Sequence, residues 1–201
     1  MGERAMRGVT ILGGGFKRRK VGSVPAGLFV RPILARMKKS LFDILKNRIP
    51  DSVFLDLFAG SGSVGLEALS RGARKVIFIE SNPQCKRWIE GSLDKIAGKN
   101  NTILLKSEIR VHRADVLSGL GWLDEKFDLI FSGAPYKDPR KNPLFLVEPL
   151  LEMIHRDGII QDGGWFIAQH HKKEKFRTPQ VWDFFRQENY GDNVLSFFKY
   201  A

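Results

Sequence analysis

A single cysteine, Cys85, occurs in 201 residues, which excludes an intramolecular disulfide, a Cys-rich zinc site and a Cys-x-x-Cys redox pair. That scarcity points to a reducing compartment, with Cys85 as a packing residue. Histidine is also scarce, with four in the chain. His170-His171 has a metal-like look, but neighbours on a strand point to opposite faces and no third ligand stands near, so the pair reads as a solvated strand end and no metal is expected. No uninterrupted apolar stretch approaches the length of a membrane span, and Met1-Gly2-Glu3-Arg4 leads into no apolar signal region. Gly2 opens no myristoylation signal, because Met6 stands where serine or threonine is required. The expectation is a soluble, cytoplasmic monomer with one core domain and a small appendage.

Acidic residues are outnumbered, 22 against 33 basic ones, and the imbalance is local. Residues 1–50 hold twelve Lys or Arg against Glu3 and Asp43, whereas the other 151 residues hold 21 basic and 20 acidic side chains. A polycationic amino-terminal quarter on a nearly neutral core is the electrostatic footprint of a nucleic-acid contact. Within it, residues 6–12 read as a short strand, Gly13-Gly14-Gly15 breaks it, and Phe16-Lys17-Arg18-Arg19-Lys20-Val21 returns as a basic hairpin arm. There Lys17, Arg18, Arg19 and Lys20 can hold phosphates while Phe16 stacks on a base. The plainer alternative is a solubilising tail. Arg31-Pro32 then opens a helix to about Arg48, with Leu34, Met37, Leu41, Ile44 and Leu45 on its apolar face. Arg36, Lys39 and Lys46 share its other side, and a helix laid across a ligand site would bring Arg31 or Arg36 to a substrate.

The stretch from Val53 to Gly65 reads as a buried strand, a glycine turn and a helix start. Gly60, Gly62 and Gly65 satisfy a literal G-x-G-x-x-G, so a nicotinamide dehydrogenase is the first rival. Asp56 opposes it, since a carboxylate at the strand end repels a pyrophosphate. The same carboxylate attracts a cation, and S-adenosylmethionine carries an α-ammonium and a sulfonium. Glu80, closing the next apolar run, is placed to accept both ribose hydroxyls, a feature of either class, and Asp115 ends a third strand where it can accept the adenine amine. Phe58, Ser81 and Val116 flank these positions and complete the predicted cofactor set. An ordinary strand-turn-helix with an acid at its edge is the competing structural reading.

The remaining pattern alternates strands and helices. A helix through Leu66, Ala68 and Leu69 ends at Gly72, strand 75–80 follows, and Asn82-Pro83 caps a helix striped by Trp88, Ile89, Leu93 and Ile96. Strand 109–113 and strand 127–131 come next, the latter running into Ser132-Gly133-Ala134-Pro135-Tyr136. Residues 102–106 read as an extra short strand or a loop insertion. Pro149 begins or kinks a helix carrying Leu150, Leu151 and Ile154, residues 165–169 form a fifth strand, and Lys172-Lys173-Glu174-Lys175 is a charged loop. Strands 182–189 and 193–200, joined through Tyr190-Gly191-Asp192-Asn193, close the sheet as a hairpin.

These motifs resemble the RsmD-type 16S ribosomal RNA (guanine-N2)-methyltransferases over nearly the whole chain. The resemblance lies in Asp56-Leu57-Phe58-Ala59-Gly60-Ser61-Gly62 and Gly65-Leu66-Glu67-Ala68-Leu69-Ser70-Arg71-Gly72-Ala73. It extends to Gly13-Gly14 before the basic run, Arg31-Pro32 with Arg36, Leu41-Phe42, and Tyr190-Gly191-Asp192. It implies an α/β fold, the class I S-adenosylmethionine-dependent methyltransferase fold, with a Rossmann-like seven-stranded sheet whose last strand runs antiparallel. A small N-terminal β-hairpin extension, residues 1–30, would precede the methyltransferase domain, residues 31–201. It also implies S-adenosyl-L-methionine as donor, a guanine amine of small-subunit ribosomal RNA as acceptor, and Gly133, Ala134, Pro135 and Tyr136 as the catalytic turn. The family has Asp-Pro-Pro-Tyr, or Asn first, where this chain has Gly133-Ala134-Pro135-Tyr136. Gly133 has no side-chain acceptor, which keeps open a catalytically impaired ribosome-assembly protein that binds cofactor and RNA. Lys38-Lys39, where the family usually has Arg-Glu, is expected to add to the basic face.

Overall fold

The computed structural model describes residues 8–23, 33–97, 106–138 and 140–201. Arg31-Pro32 and residues 102–105 lie outside these, so the predicted helix opening and most of the ambiguous insertion stand outside the described residues. The chain begins with a small antiparallel pair, β1 (Gly8–Thr10) and β2 (Lys20–Ser23), in which Gly8 faces Ser23 and Thr10 faces Lys20. A 3-10 turn at Gly14–Phe16 lies between them. This is the expected hairpin.

The helix α1 (Ala35–Ile44) starts later and ends earlier than its periodicity predicts. Leu34 is its N-cap and stays exposed, while Met37, Leu41, Phe42 and Leu45 form the buried stripe. There follow β3 (Val53–Leu57), α2 (Ser63–Ser70), β4 (Lys75–Ile79), α3 (Pro83–Ala97), β5 (Glu108–His112) and β6 (Phe127–Ser132). The chain closes with α4 (Val147–Arg156), β7 (Ile160–His171), β8 (Trp182–Tyr190) and β9 (Asn193–Tyr200). Strand β7 is far longer than the predicted 165–169, because Gln161-Asp162-Gly163-Gly164, loop-like in composition, is carried into the sheet across a register shift against β6.

The seven large strands run in the order β5-β4-β3-β6-β7-β9-β8. Pairs from β5 to β7 are parallel, and β9 lies antiparallel to both β7 and β8. Strands β3 and β4 are buried along their whole length, which explains their unbroken apolar reading. Alternate residues still divide between two layers. Phe54, Phe78, Leu129 and Phe131 pack with Met37, Leu41, Leu66 and Ile89 on one face, and Leu55, Ile77, Ile130 and Phe166 pack with Leu150, Leu151 and Ile154 on the other.

The hairpin is built into the first layer. Val9, Ile11, Phe16 and Val21 share its apolar packing, Leu12 N donates to Glu67 Oε2 at 2.7 Å, and Phe16 N donates to Ser70 Oγ at 2.9 Å. The basic arm is therefore held against α2, the helix that opens after the glycine turn. Among the described residues no helix is long and apolar enough to cross a membrane.

Candidate active site

The chain after β3 leads to β4 on one side of the sheet, whereas β6 pairs on the other, so the order reverses between β3 and β6. Crevices at such a reversal, beyond the carboxyl ends of the strands, hold ligands in open α/β sheets. Gly133 N, just past β6, donates to Leu57 O at 3.2 Å, which puts the Gly133–Tyr136 turn beside the glycine turn.

Asp56 is only 2% exposed, and its Oδ2 accepts from Gly65 N at 2.8 Å. Burial pushes its carboxyl pKa up to about 8; the Gly65 bond opposes this and the nearby Glu80 charge adds to it. The carboxylate thus also ties β3 to the first turn of α2. Gly62, the N-cap of α2, has φ 68, which a side chain would strain. At Gly65 a Cβ would lie 2.2 Å from Phe78 Cε1, so glycine is what lets α2 settle on β4.

Glu80 is buried at the end of β4, with Oε2 accepting from Gly60 N at 2.7 Å and Oε1 from Asn82 N at 2.8 Å. Each oxygen retains a second lone pair, so the carboxylate is oriented and can still accept two hydroxyls. Asp115 is exposed, caps the 3-10 turn Val116–Ser118, and accepts from Leu117 N at 3.0 Å through Oδ1. Val116 is buried, Phe58 and Ala114 pack against the layer that contains it, and Ser81 is exposed. Acidic side chains at three neighbouring strand ends suit a cation bearing hydroxyls and disfavour a pyrophosphate.

In the Gly133–Tyr136 turn, Ala134 is buried, Pro135 exposed and Tyr136 half-buried. The Tyr136 hydroxyl donates to Asn193 Oδ1 at 2.9 Å and accepts from Gln169 Nε2 at 2.8 Å, while the His171 ring meets the tyrosine ring edge-on at 6.0 Å. Residues from β7 and β9 thereby fix the tyrosine, which gives the β8–β9 turn a role at the site. Gly133 has φ outside the left-handed region, and a Cβ there would sit 3.4 Å from Phe131 Cε1 and 3.8 Å from Phe58 O. The backbone does not require glycine at this position.

Of the predicted RNA-contacting residues, Lys17, Arg18, Arg19, Lys20 and Arg36 are exposed, and Arg31 lies outside the described residues. Arg19, though exposed, also donates from Nη1 to Ile96 O at 2.7 Å, with its guanidinium 5.5 Å from the Phe16 ring centre. Phe16 is 1% exposed, which overturns the idea that it stacks on a base, since its ring is part of the hairpin's seat on α2.

Lys38 does not extend the basic face either. It is buried, with Nζ 2.8 Å from Thr10 O, 3.0 Å from Ser63 Oγ and 3.3 Å from Glu67 Oε2. Burial lowers its pKa, against the pull of Glu67. Glu67, fully buried, also accepts from Arg71 Nε at 2.9 Å. This hub was missed, although a lone acid in the apolar helix segment Ser63–Ser70 signals a buried partner. His170 is likewise no solvated strand end: it is buried, Nε2 lies 2.8 Å from Ser196 Oγ, and burial lowers its pKa.

The sheet order with its antiparallel final strand, and the crevice at the β3–β6 reversal, define the class I methyltransferase fold. The chain belongs to the family described as conserved hypothetical protein 95, whose model matches residues 9–199. It is 29% identical over 194 residues to YlbH of Bacillus subtilis (strain 168), covering 94% of this chain and 97% of that one. It is 27% identical over 181 residues to ribosomal RNA small subunit methyltransferase D of Escherichia coli (strain K12), covering 90% and 84%. A solved hypothetical protein of Thermus thermophilus superposes with a TM-score of 0.70 at 29% identity, covering 94% of this chain and 98% of the other.

Proposed function

We propose that the protein transfers a methyl group from S-adenosyl-L-methionine to the exocyclic amine of a guanine in small-subunit ribosomal RNA. Family membership and the name carried by the Escherichia coli relative support the reaction class and the substrate. The observation that carries the proposal is the junction of the Gly133–Tyr136 turn with the acid-rimmed crevice, tied through Gly133 N to Leu57 O.

The residues fit such a donor: Asp56 would hold its ammonium, Glu80 its ribose hydroxyls and Asp115 its adenine amine, with Gly60 and Gly62 allowing close approach. The bound cofactor supplies an electrophilic methyl group on a sulfonium. The protein's part is positioning. Tyr136, fixed by Asn193 and Gln169, offers a face on which guanine stacks. The Gly133 and Ala134 carbonyls accept the amine hydrogens, turning the nitrogen lone pair toward the methyl group. Alignment of this kind supplies roughly 7–11 kcal/mol of a barrier. Residues 1–30 form the RNA-gripping extension and residues 31–201 the catalytic domain.

The absence of a side-chain acceptor at Gly133 favours one second reading, an assembly protein that binds cofactor and RNA without transferring methyl groups. Incubating the purified protein with methyl-labelled S-adenosylmethionine and small-subunit RNA separates the two. Label on a guanine amine supports the enzyme; tight binding of both ligands with no label supports the assembly protein.

A further inference from the structure

The core beyond residue 50 is almost neutral in sum, yet its charge is not evenly spread. Residues 137–145 and 172–177 together contain seven basic and two acidic side chains, a third of the basic residues in that part of the chain and a tenth of the acidic ones. The fold sets both segments beside Tyr136. The first leaves the catalytic turn directly and returns with Leu144 N donating to Tyr136 O at 2.9 Å. The second follows His171, whose ring rests against Tyr136. The two are also joined to each other, because Glu174 Oε1 accepts from Val147 N at 2.8 Å at the end of the first segment's return.

Both segments are built to present cations. In the first, the Asp138 carboxylate turns inward to the loop, accepting from Asn142 N at 2.8 Å and Asn142 Nδ2 at 2.9 Å, while Lys141 N donates to Asp138 O at 2.9 Å. Lys141 holds φ 68, a left-handed conformation rarely taken by a residue with a side chain, so the loop is a defined structure. Lys137, Arg140 and Lys141 are exposed on it. In the second, the lone acid of Lys172-Lys173-Glu174-Lys175 is the residue pulled inside, with burial raising its pKa, while the three lysines remain exposed. Lys172 also pairs with Asp192 at 2.9 Å. Phe145, 53% exposed, adds an aromatic face to this rim.

We infer that these two loops form a second RNA-binding surface, opposite in the chain to the basic hairpin, that grips the phosphates flanking the target base while Phe145 stacks on a neighbouring unpaired base. The inference rests on the proposed RNA reading of the same site and adds where the strand is held. Cations in a fixed loop beside the stacking tyrosine suit a phosphate backbone, and one exposed ring suits an unstacked base in a loop or single strand.

The test uses the full chain and a small-subunit RNA transcript. Replacing Lys137, Arg140 and Lys141 by Gln, and separately Lys173 and Lys175 by Gln, is expected to weaken RNA binding and flatten its log–log salt slope by about 0.7 for each phosphate no longer neutralised. Cofactor affinity and melting temperature, unchanged from wild type, show that the variants are folded. Phe145→Ala is expected to cost about 5- to 150-fold in affinity for single-stranded RNA with the salt slope unchanged. RNA affinity and slope that stay at wild-type values in both charge variants, while replacing Lys17, Arg18 and Lys20 by Ala lowers them, overturn the second surface. A wild type that binds RNA through the rim and transfers no methyl group leaves the surface standing and sinks only the enzyme reading.

Discussion

Gly133→Asp restores the acceptor that the resembling family carries and this chain lacks, and the structure shows that it can be made. The backbone at Gly133 is outside the left-handed region, and the new Cβ would meet only Phe131 Cε1 at 3.4 Å and Phe58 O at 3.8 Å. On the proposed reading, an aspartate there would accept from the guanine amine whose hydrogens the Gly133 and Ala134 carbonyls otherwise hold. Deleting one oriented polar partner typically costs on the order of 10²–10³-fold in rate, by analogy with oxyanion-hole donors. The reverse change is expected to raise the single-turnover rate toward that limit, with cofactor and RNA affinities little altered, because the interaction strengthens as the amine gains charge. Gly133→Asn is the neutral companion and can also donate to Phe58 O. The assay is rapid-quench methyl transfer with saturating cofactor and small-subunit RNA. A folded, cofactor-binding Gly133→Asp protein with no gain over wild type refutes the placement of the guanine amine against this turn.

Cofactor binding should release a proton, because Asp56, with its pKa raised to about 8, is protonated at neutral pH until an ammonium stands beside it. Affinity should then rise by up to about tenfold per pH unit below pH 8, and calorimetry in buffers of different ionisation heat should detect the proton; its absence removes Asp56 from the ammonium site. In the cofactor-free protein the same shift makes stability fall as pH rises from 3.8 to about 8, since the unfolded carboxyl ionises first. Lys38→Ala breaks the buried contact to Glu67 and the hairpin, and should cost about 3–5 kcal/mol in denaturant unfolding; a loss below about 1 kcal/mol refutes the hub. Gly65→Ala forces a methyl group into Phe78 and should cost about 1–3 kcal/mol while weakening cofactor binding; stability and affinity like wild type would contradict the close approach. Replacing Lys17, Arg18 and Lys20 by Ala should flatten the salt dependence of RNA binding, whereas Arg19→Ala should chiefly lower stability, because its bond to Ile96 O is removed.

The parts of this protein that were legible in its sequence are those whose physics is local. Asp56, the three glycines and the helix start lie within ten residues, so strand, turn and cap chemistry specify them together. The closing hairpin was legible for the same reason, with an aromatic-rich segment on either side of Gly191-Asp192. What sequence pattern misplaced depends on partners distant in the chain. Lys38 reads as one more surface cation until Glu67, 29 positions away, is set against it. Phe16 reads as a stacking ring beside four cations until α2 covers it, and His170 as a solvated strand end until Ser196 on β9 reaches it. Strand β7 was shortened because Asp162-Gly163-Gly164 carries loop composition, which the pairing of Ile160 and Trp165 with β6 on either side of it overrides. The rim around Tyr136 was only half legible: Lys172-Lys173-Glu174-Lys175 reads as a charged loop, but only the sheet brings it beside residues 137–145, and their sum is hidden in a nearly neutral core.

The most direct measurement is a map of methylated guanines in small-subunit ribosomal RNA from cells with the gene and cells without it, with a Tyr136→Ala strain alongside. The account predicts one guanine whose N2-methyl group disappears with the gene and declines in the Tyr136→Ala strain. An unchanged map, with every methylguanine retained in the absence of the protein, would contradict it.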